Sequence, residues 1–291
     1  MKGVFPVEHL FIFVLFLFAR CNSIIDIGVY SANFHILACT NDKQMEQTEV
    51  LIKQNPAFRF ADQRLTLVLQ HLNAYLMHYD PEALHQLRVE MKRLKTIYYM
   101  QKHLNMLPDD SKFFPLHLSV FYKISGKVRA AHLMKSRMSR KGWDVIAPGL
   151  FKKLFKSQVK YNKLLVKEAD QFAVELKKWG TALVKSCAEA DLNAFEQQVA
   201  NEKQKLLGCM QPVPDEADWH ELRKSIKRFA HMSEMLSVRA LARVKEGIDM
   251  KKVDLLQELL GNWNDANEQS KWIKKRLKSK SVSKDAYHII Q

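Results

Sequence analysis

One stretch of this chain occurs twice, and that repeat constrains the fold more than any other feature of the sequence. His85-Gln86-Leu87-Arg88-Val89-Glu90-Met91-Lys92-Arg93-Leu94-Lys95 is echoed 135 residues later by His220-Glu221-Leu222-Arg223-Lys224-Ser225-Ile226-Lys227-Arg228-Phe229-Ala230. The same offset carries Gly126 onto Gly261, so Gly126-Lys127-Val128-Arg129 answers to Gly261-Asn262-Trp263-Asn264, each closing a second apolar helical pattern. A gapless match at so many positions reads as a tandem duplication.

Each helical residue turns by about 100°, which places Leu84, Leu87, Met91, Leu94 and Tyr98 on one apolar stripe and His85, Arg88, Lys92 and Lys95 along its flank. In the second copy Trp219, Leu222, Ile226 and Phe229 form the stripe, with His220, Arg223, Lys224 and Lys227 at its edge. A cation at such a margin packs its stem and turns its head towards the seam between elements. The plain alternative is a solvated helix face. Against it stand the shared register, the His repeated in place, and the scarcity of acids, Glu90 and Glu221 being the only carboxylates near. A stabilising surface helix alternates its signs. Here repulsion accumulates, and an anionic partner would relieve it.

With no strand alternation of any length, and only 9 Gly and 8 Pro in 291 residues, the chain is expected to be all-α. Helices are expected over 61–78, from the Asp80-Pro81 start to about Leu104, over about Leu116 to Arg140, from Leu150 to Trp179 with Gly180 as the stop, and over 189–207. The second basic motif follows the Pro212-Val213-Pro214-Asp215 junction, and two helices, 249–261 and 263–279, come before a basic tail, Lys271 to Lys284. Short connections between such helices favour antiparallel bundles. The expected architecture is two of them, a first half of about 60–145 and a second of about 146–280, related by a pseudo-twofold with a basic groove or pore at their seam. The helix from Leu150 gathers Lys152, Lys153, Lys156, Lys160 and Lys163 near its positive dipole end, which costs stability unless an anion is near. It is a candidate second wall of the groove.

Residues 1–44 carry no net charge, so the whole +15 belongs to 45–291. The apolar run Leu10 to Ala19 is shorter than the ~20 residues a spanning helix needs. A secretion signal, a membrane-proximal anchor and a true start at Met45 all compete for this segment, and the last is preferred because Met45-Glu46-Gln47-Thr48-Glu49 opens an ordinary helix. No stable membrane insertion is expected of 45–291. The four cysteines make no CxxC pair and only two lie in the body, which suits a reducing, cytoplasmic setting.

H-x-L-R followed by a basic doublet, here Lys92-Arg93 and Lys227-Arg228, resembles the CHAD domain, the conserved-histidine α-helical domain. Leu256-Gln257-Glu258-Leu259-Leu260-Gly261-Asn262-Trp263-Asn264-Asp265-Ala266 is similar to the second-half segment L-Q-x-L-L-G-x-x-N-D-A of that family. The resemblance runs from about residue 60 to the C-terminus. It has one departure: Ala130 follows Arg129 where the family usually places an Asp.

From the residues alone the partner is a polyanion, since Arg offers a fork to phosphate oxygens, Lys a mobile point charge and His a further donor. The resemblance implies that it is inorganic polyphosphate, bound without catalysis in storage, localisation or metabolism, in the cytoplasm and in association with polyphosphate granules. The candidate contacts are His85, Arg88, Lys92, Arg93 and Lys95 from the first motif and His220, Arg223, Lys224, Lys227 and Arg228 from the second. Lys127, Arg129 and Arg137 join them from the third helix, and Lys153, Lys156 and Lys160 from the long one. Arg88→Ala and Arg223→Ala are each expected to weaken binding and leave melting nearly unchanged. Nucleic acid, consistent with a pI near 9.6, ranks second, because Trp219, Phe229 and Tyr98 sit on apolar stripes instead of forming stacking platforms. An enzyme of phosphate chemistry, or its accessory subunit, is the remaining class. No metal, cofactor or catalytic residue is expected, because the basic motifs lack the clustered acids that hold Mg²⁺.

Overall fold

A computed structural model describes residues 55–107, 114–146, 148–210 and 218–277, and every regular element among them is a helix. In chain order these are α1 (Pro56–His78), α2 (Pro81–His103), α3 (Leu116–Arg140), the single turn α4 (Trp143–Ile146), α5 (Pro148–Ala188), α6 (Leu192–Gly208), α7 (Trp219–Ser233), α8 (Val238–Lys245) and α9 (Met250–Leu277). The segment 1–44, its Leu10 to Ala19 run and the basic tail beyond Leu277 lie outside the described residues.

Local chemistry sets the first turn. Asn55 accepts hydrogen bonds from the Ala57 and Phe58 N–H groups, and Asp80 from those of Glu82 and Ala83, each just before a proline at the first helical position. Only Tyr79, in the left-handed region at φ 51°, separates the end of α1 from that second cap. The two helices therefore fold back on each other.

α1, α2, α3 and α5 pack together around Leu72, Leu87, Leu94, Ile97 and Phe121, with the Phe121 ring stacked on Phe172 of α5 at 3.9 Å. α6, α7 and α9 bring Phe195, Val199, Leu222, Ile226, Phe229 and Leu260 into the same core, and α8 lies on α6. A satellite cluster of Ala131, Met134, Met138, Leu150 and Leu154 joins the far ends of α3 and α5, where Trp272 of α9 packs against it. The starts of α1 and α6, of α2 and α7, and of α3 and α9 stand 134 to 138 residues apart.

Three expectations are corrected. Gly180 does not stop a helix: α5 runs through it to Ala188, because this glycine is buried against α1, where a Cβ would stand 2.5 Å from Leu65 Cδ1. Gly261 likewise does not separate two helices, and α9 is continuous from Met250 to Leu277. The cost of one helical glycine, about 1 kcal/mol, is offset where packing holds the helix on both sides. α1 begins five residues earlier than its apolar period suggested, at the Asn55 cap, and α8 carries no signal that the periodicity singled out.

Candidate functional site

α2 packs directly on α7, so the two basic motifs face each other across a contact between the parts of the chain that repeat. Arg88 and Lys92 come from α2, Arg223 and Lys227 from α7. α3 adds Tyr122, Ser125, Arg129 and Arg137, and α9 adds Asp265.

Arg88 is anchored. Its Nη1 donates to the Tyr122 carbonyl oxygen at 2.6 Å and to Ser125 Oγ at 2.8 Å, and its guanidinium lies 4.3 Å from the centroid of the Tyr122 ring. Gly126 makes room for it, since a Cβ there would stand 3.1 Å from Arg88 Nη1. The repeated glycine of the first half is thus a notch for the repeated arginine. No such notch exists in α9, where a Cβ at Gly261 would meet nothing within 4 Å.

Arg223, the counterpart of Arg88, is half-buried, and its Nε is shielded from water without a hydrogen-bond partner among the described residues. Lys92 and Lys227 are also half-buried. Burial, reinforced by Lys227, Arg88 and Arg223, pushes the Lys92 ammonium down to about 8. Burial and then Arg223 lower Lys227 as well. The one acid that opposes both shifts is Asp265, whose Oδ2 is itself held by Arg137 Nη2 at 3.1 Å. The 135-residue offset matches Asp265 to Ala130, so one carboxylate stands where two matching halves would supply two.

His85 is half-buried at the margin of this cluster; burial and then Arg129 lower its pKa, against the opposing pull of Glu82. Arg129 itself donates to the Pro81 carbonyl oxygen at 3.4 Å. His220 is exposed. The histidines that the sequence pairs therefore sit in unlike surroundings.

The second residue of each basic doublet turns elsewhere. Arg93 lies between two carboxylates, its Nη1 2.5 Å from Glu90 Oε1 and its Nε 2.9 Å from Glu234 Oε2. Arg64 of α1 takes the other Glu90 oxygen at 3.1 Å. Arg228 Nε is 2.8 Å from Glu202 Oε1, and its Nη2 donates to Ser225 Oγ. Glu90 and Glu202 are almost wholly buried, and a buried carboxylate needs such a partner. Removing one partner should show it: Arg93→Ala is expected to lower unfolding free energy by about 2 kcal/mol, Arg64 holding the remaining charge, while polyanion affinity stays within twofold in a parallel titration.

The other candidates are dispersed. Lys224 pairs with Glu221 at 2.7 Å on the surface. Lys95 lies over the rings of Phe114 and Tyr99 and borders Tyr122, and Lys127 lies over Tyr161 of α5. Lys153, Lys156 and Lys160 are exposed along α5. Tyr122, Ser125 and Asp265 were not singled out as contacts from the sequence; the repeat of Gly126 and the Asn264-Asp265-Ala266 segment were the signals that pointed near them. No group of three or more His, Cys, Asp or Glu that could hold a metal ion occurs among the described residues, and no described helix is long and apolar enough to cross a membrane.

The family model of the CHAD domain matches residues 59–274. A crystal structure of the CHAD domain from the plant Ricinus communis is similar in fold, with a TM-score of 0.58 at 19% sequence identity over 79% of this chain and 80% of that one. No curated protein matches the sequence.

Proposed function

This chain belongs to the CHAD domain family, and on that premise we propose that it binds inorganic polyphosphate, without catalysis, through the cations that α2 and α7 turn towards each other. One observation carries the reading. Lys92, Lys227 and Arg223 are half-buried, lie close enough to act on one another's charges, and their side chains make no hydrogen bond or ion pair among the described residues. Half-buried like charges repel more strongly than they would in water. A chain of phosphates supplies the missing counter-charge.

On this reading the two lysines are point charges and Arg223 a fork for phosphate oxygens. Arg88 and Tyr122 form a rigid floor beneath them, Asp265 limits the repulsion while the site is empty, and His85 with Arg129 extends the margin. The two copies of the motif, products of a duplication, each contribute half of a basic groove. The protein then serves polyphosphate storage, localisation or metabolism in the cytoplasm. The aromatic rings nearby suit polyphosphate better than nucleic acid: Tyr98 and Phe229 are buried, and Trp219 packs edge-on against Trp263 at 5.2 Å. Single-strand sites use exposed rings for base stacking.

Competition at fixed ionic strength tests the reading. Protein held on immobilised polyphosphate is expected to be released by free polyphosphate at lower phosphate concentration than by DNA or RNA, and affinity should fall steeply with added salt, because the counterions that binding sets free then enter a solution already rich in them. Equal or better release by either nucleic acid would defeat it, and a flat salt titration would point to a small-molecule pocket.

A further inference from the structure

A second cationic surface lies on the other side of α3. From Leu116 to Lys167 the chain has 13 Lys and Arg and a single acid, Asp144, so this stretch holds +12 of the molecule's +15. Within it Lys152, Lys153, Lys156, Lys160, Lys163 and Lys167 are all exposed on α5, and none of their side chains makes an ion pair or hydrogen bond among the described residues. At about 100° per residue they fill an arc of roughly 100°, and at 1.5 Å per residue they run for about 22 Å along the axis. Leu150, Leu154 and Leu165 are buried on the opposite side.

α3 separates this stripe from the seam. Its Tyr122, Ser125 and Gly126 meet Arg88 of α2, whereas its Phe121, Lys127 and Lys135 meet α5. Large apolar side chains flank the lysines and remain open to solvent. Phe155 is 50% exposed and Val159 38% on one edge, and Leu164 is 39% exposed on the other.

We propose that this face of α5 docks on an anionic phospholipid bilayer. A soluble face would place acids four residues from its lysines, yet here Lys152, Lys156 and Lys160 follow one another at that spacing, where like charges destabilise a helix. Clustered lysines on an amphipathic helix are drawn to the negative potential of acidic lipid headgroups, and neighbouring apolar side chains enter the boundary below them. Inorganic polyphosphate would gain nothing from Phe155, Val159 and Leu164. A nucleic acid would gain little from Phe155, because Lys135 lies 5.3 Å from the centroid of its ring. The stripe also contains no Arg, unlike the seam, so it offers diffuse attraction without forks for individual phosphates.

The test is co-flotation of the full chain with phosphatidylcholine vesicles made with and without phosphatidylserine. The run Leu10 to Ala19 is common to every variant and cancels in the ratio of the two. Binding should depend on phosphatidylserine. It should fall by more than about a hundredfold when Lys152, Lys156, Lys160 and Lys163 are all changed to Glu, and several-fold in Phe155→Ser, which should leave polyphosphate affinity within twofold. If the fourfold Glu variant misfolds by circular dichroism, the fourfold Gln variant takes its place with the same direction expected. Equal binding to both vesicles, or full retention by the folded variant, overturns the proposal. So does loss of polyphosphate binding in place of vesicle binding, which would join the stripe to the seam, or tighter retention on single-stranded RNA than on the vesicles.

Discussion

Lys92→Met should melt at a higher temperature than the unaltered protein when no anion is present, and should bind polyphosphate more weakly. In the unfolded chain this lysine titrates near 10.5, whereas in the fold burial and three neighbouring cations hold it down to about 8. The unfolded state therefore keeps the proton more firmly. Below pH 8 both states carry the charge and the full penalty falls on the folded one; between 8 and 10.5 the folded lysine is already neutral, and the penalty fades as pH rises. Methionine, of similar length, removes it. At pH 7 the gain should be on the order of 2 kcal/mol, less than the shift alone implies because the ammonium is not wholly cut off from water.

The binding side of the same prediction has the opposite sign. A polyphosphate in the seam favours the charged ammonium and raises its pKa, so binding takes up a proton near and above pH 8. Affinity should accordingly decline as pH rises through that value. Thermal melts with and without polyphosphate, at neutral pH and above about pH 9, read all of these quantities. A lower melting temperature for the anion-free variant would mean that Lys92 is a packing residue.

The second large effect separates two arginines that the sequence treats as equals. Arg88→Ala should cost about 2 to 3 kcal/mol of stability, because the Tyr122 carbonyl and Ser125 lose a charged donor, the Tyr122 ring loses its cation, and a void opens over Gly126. Arg223→Ala should leave stability unchanged or slightly raised, since its buried Nε has no partner to lose and its charge repels Lys92 and Lys227. Yet Arg223→Ala should lower polyphosphate affinity by roughly tenfold or more, the worth of one charge-assisted contact. The contacts of Arg88 thus argue against the expectation that both substitutions would leave melting nearly unchanged. Urea denaturation beside a binding titration on the two variants distinguishes them, and equal loss of stability in both would remove Arg223 from the binding site.

The sequence by itself determined the all-helical class, most of the helices and the repeated motif. Apolar residues at three-and-four spacing place Leu84, Leu87, Met91 and Leu94 inside whatever the neighbours are, and Asp80-Pro81 starts a helix through atoms two or three residues away. Such features are local, so a linear reading reaches them. What only the tertiary structure decided is which cations remain unpaired. Arg93 and Lys92 are adjacent and look alike on paper, but Arg93 is taken by Glu234, 141 residues on, whereas Lys92 meets Lys227 and Arg223. Gly180 shows the same limit: read along the chain it is a helix stop, and against Leu65 it is the reason two helices can touch. Charge pairing and close approach depend on residues far apart in sequence, and their sign is set only when packing brings those residues together.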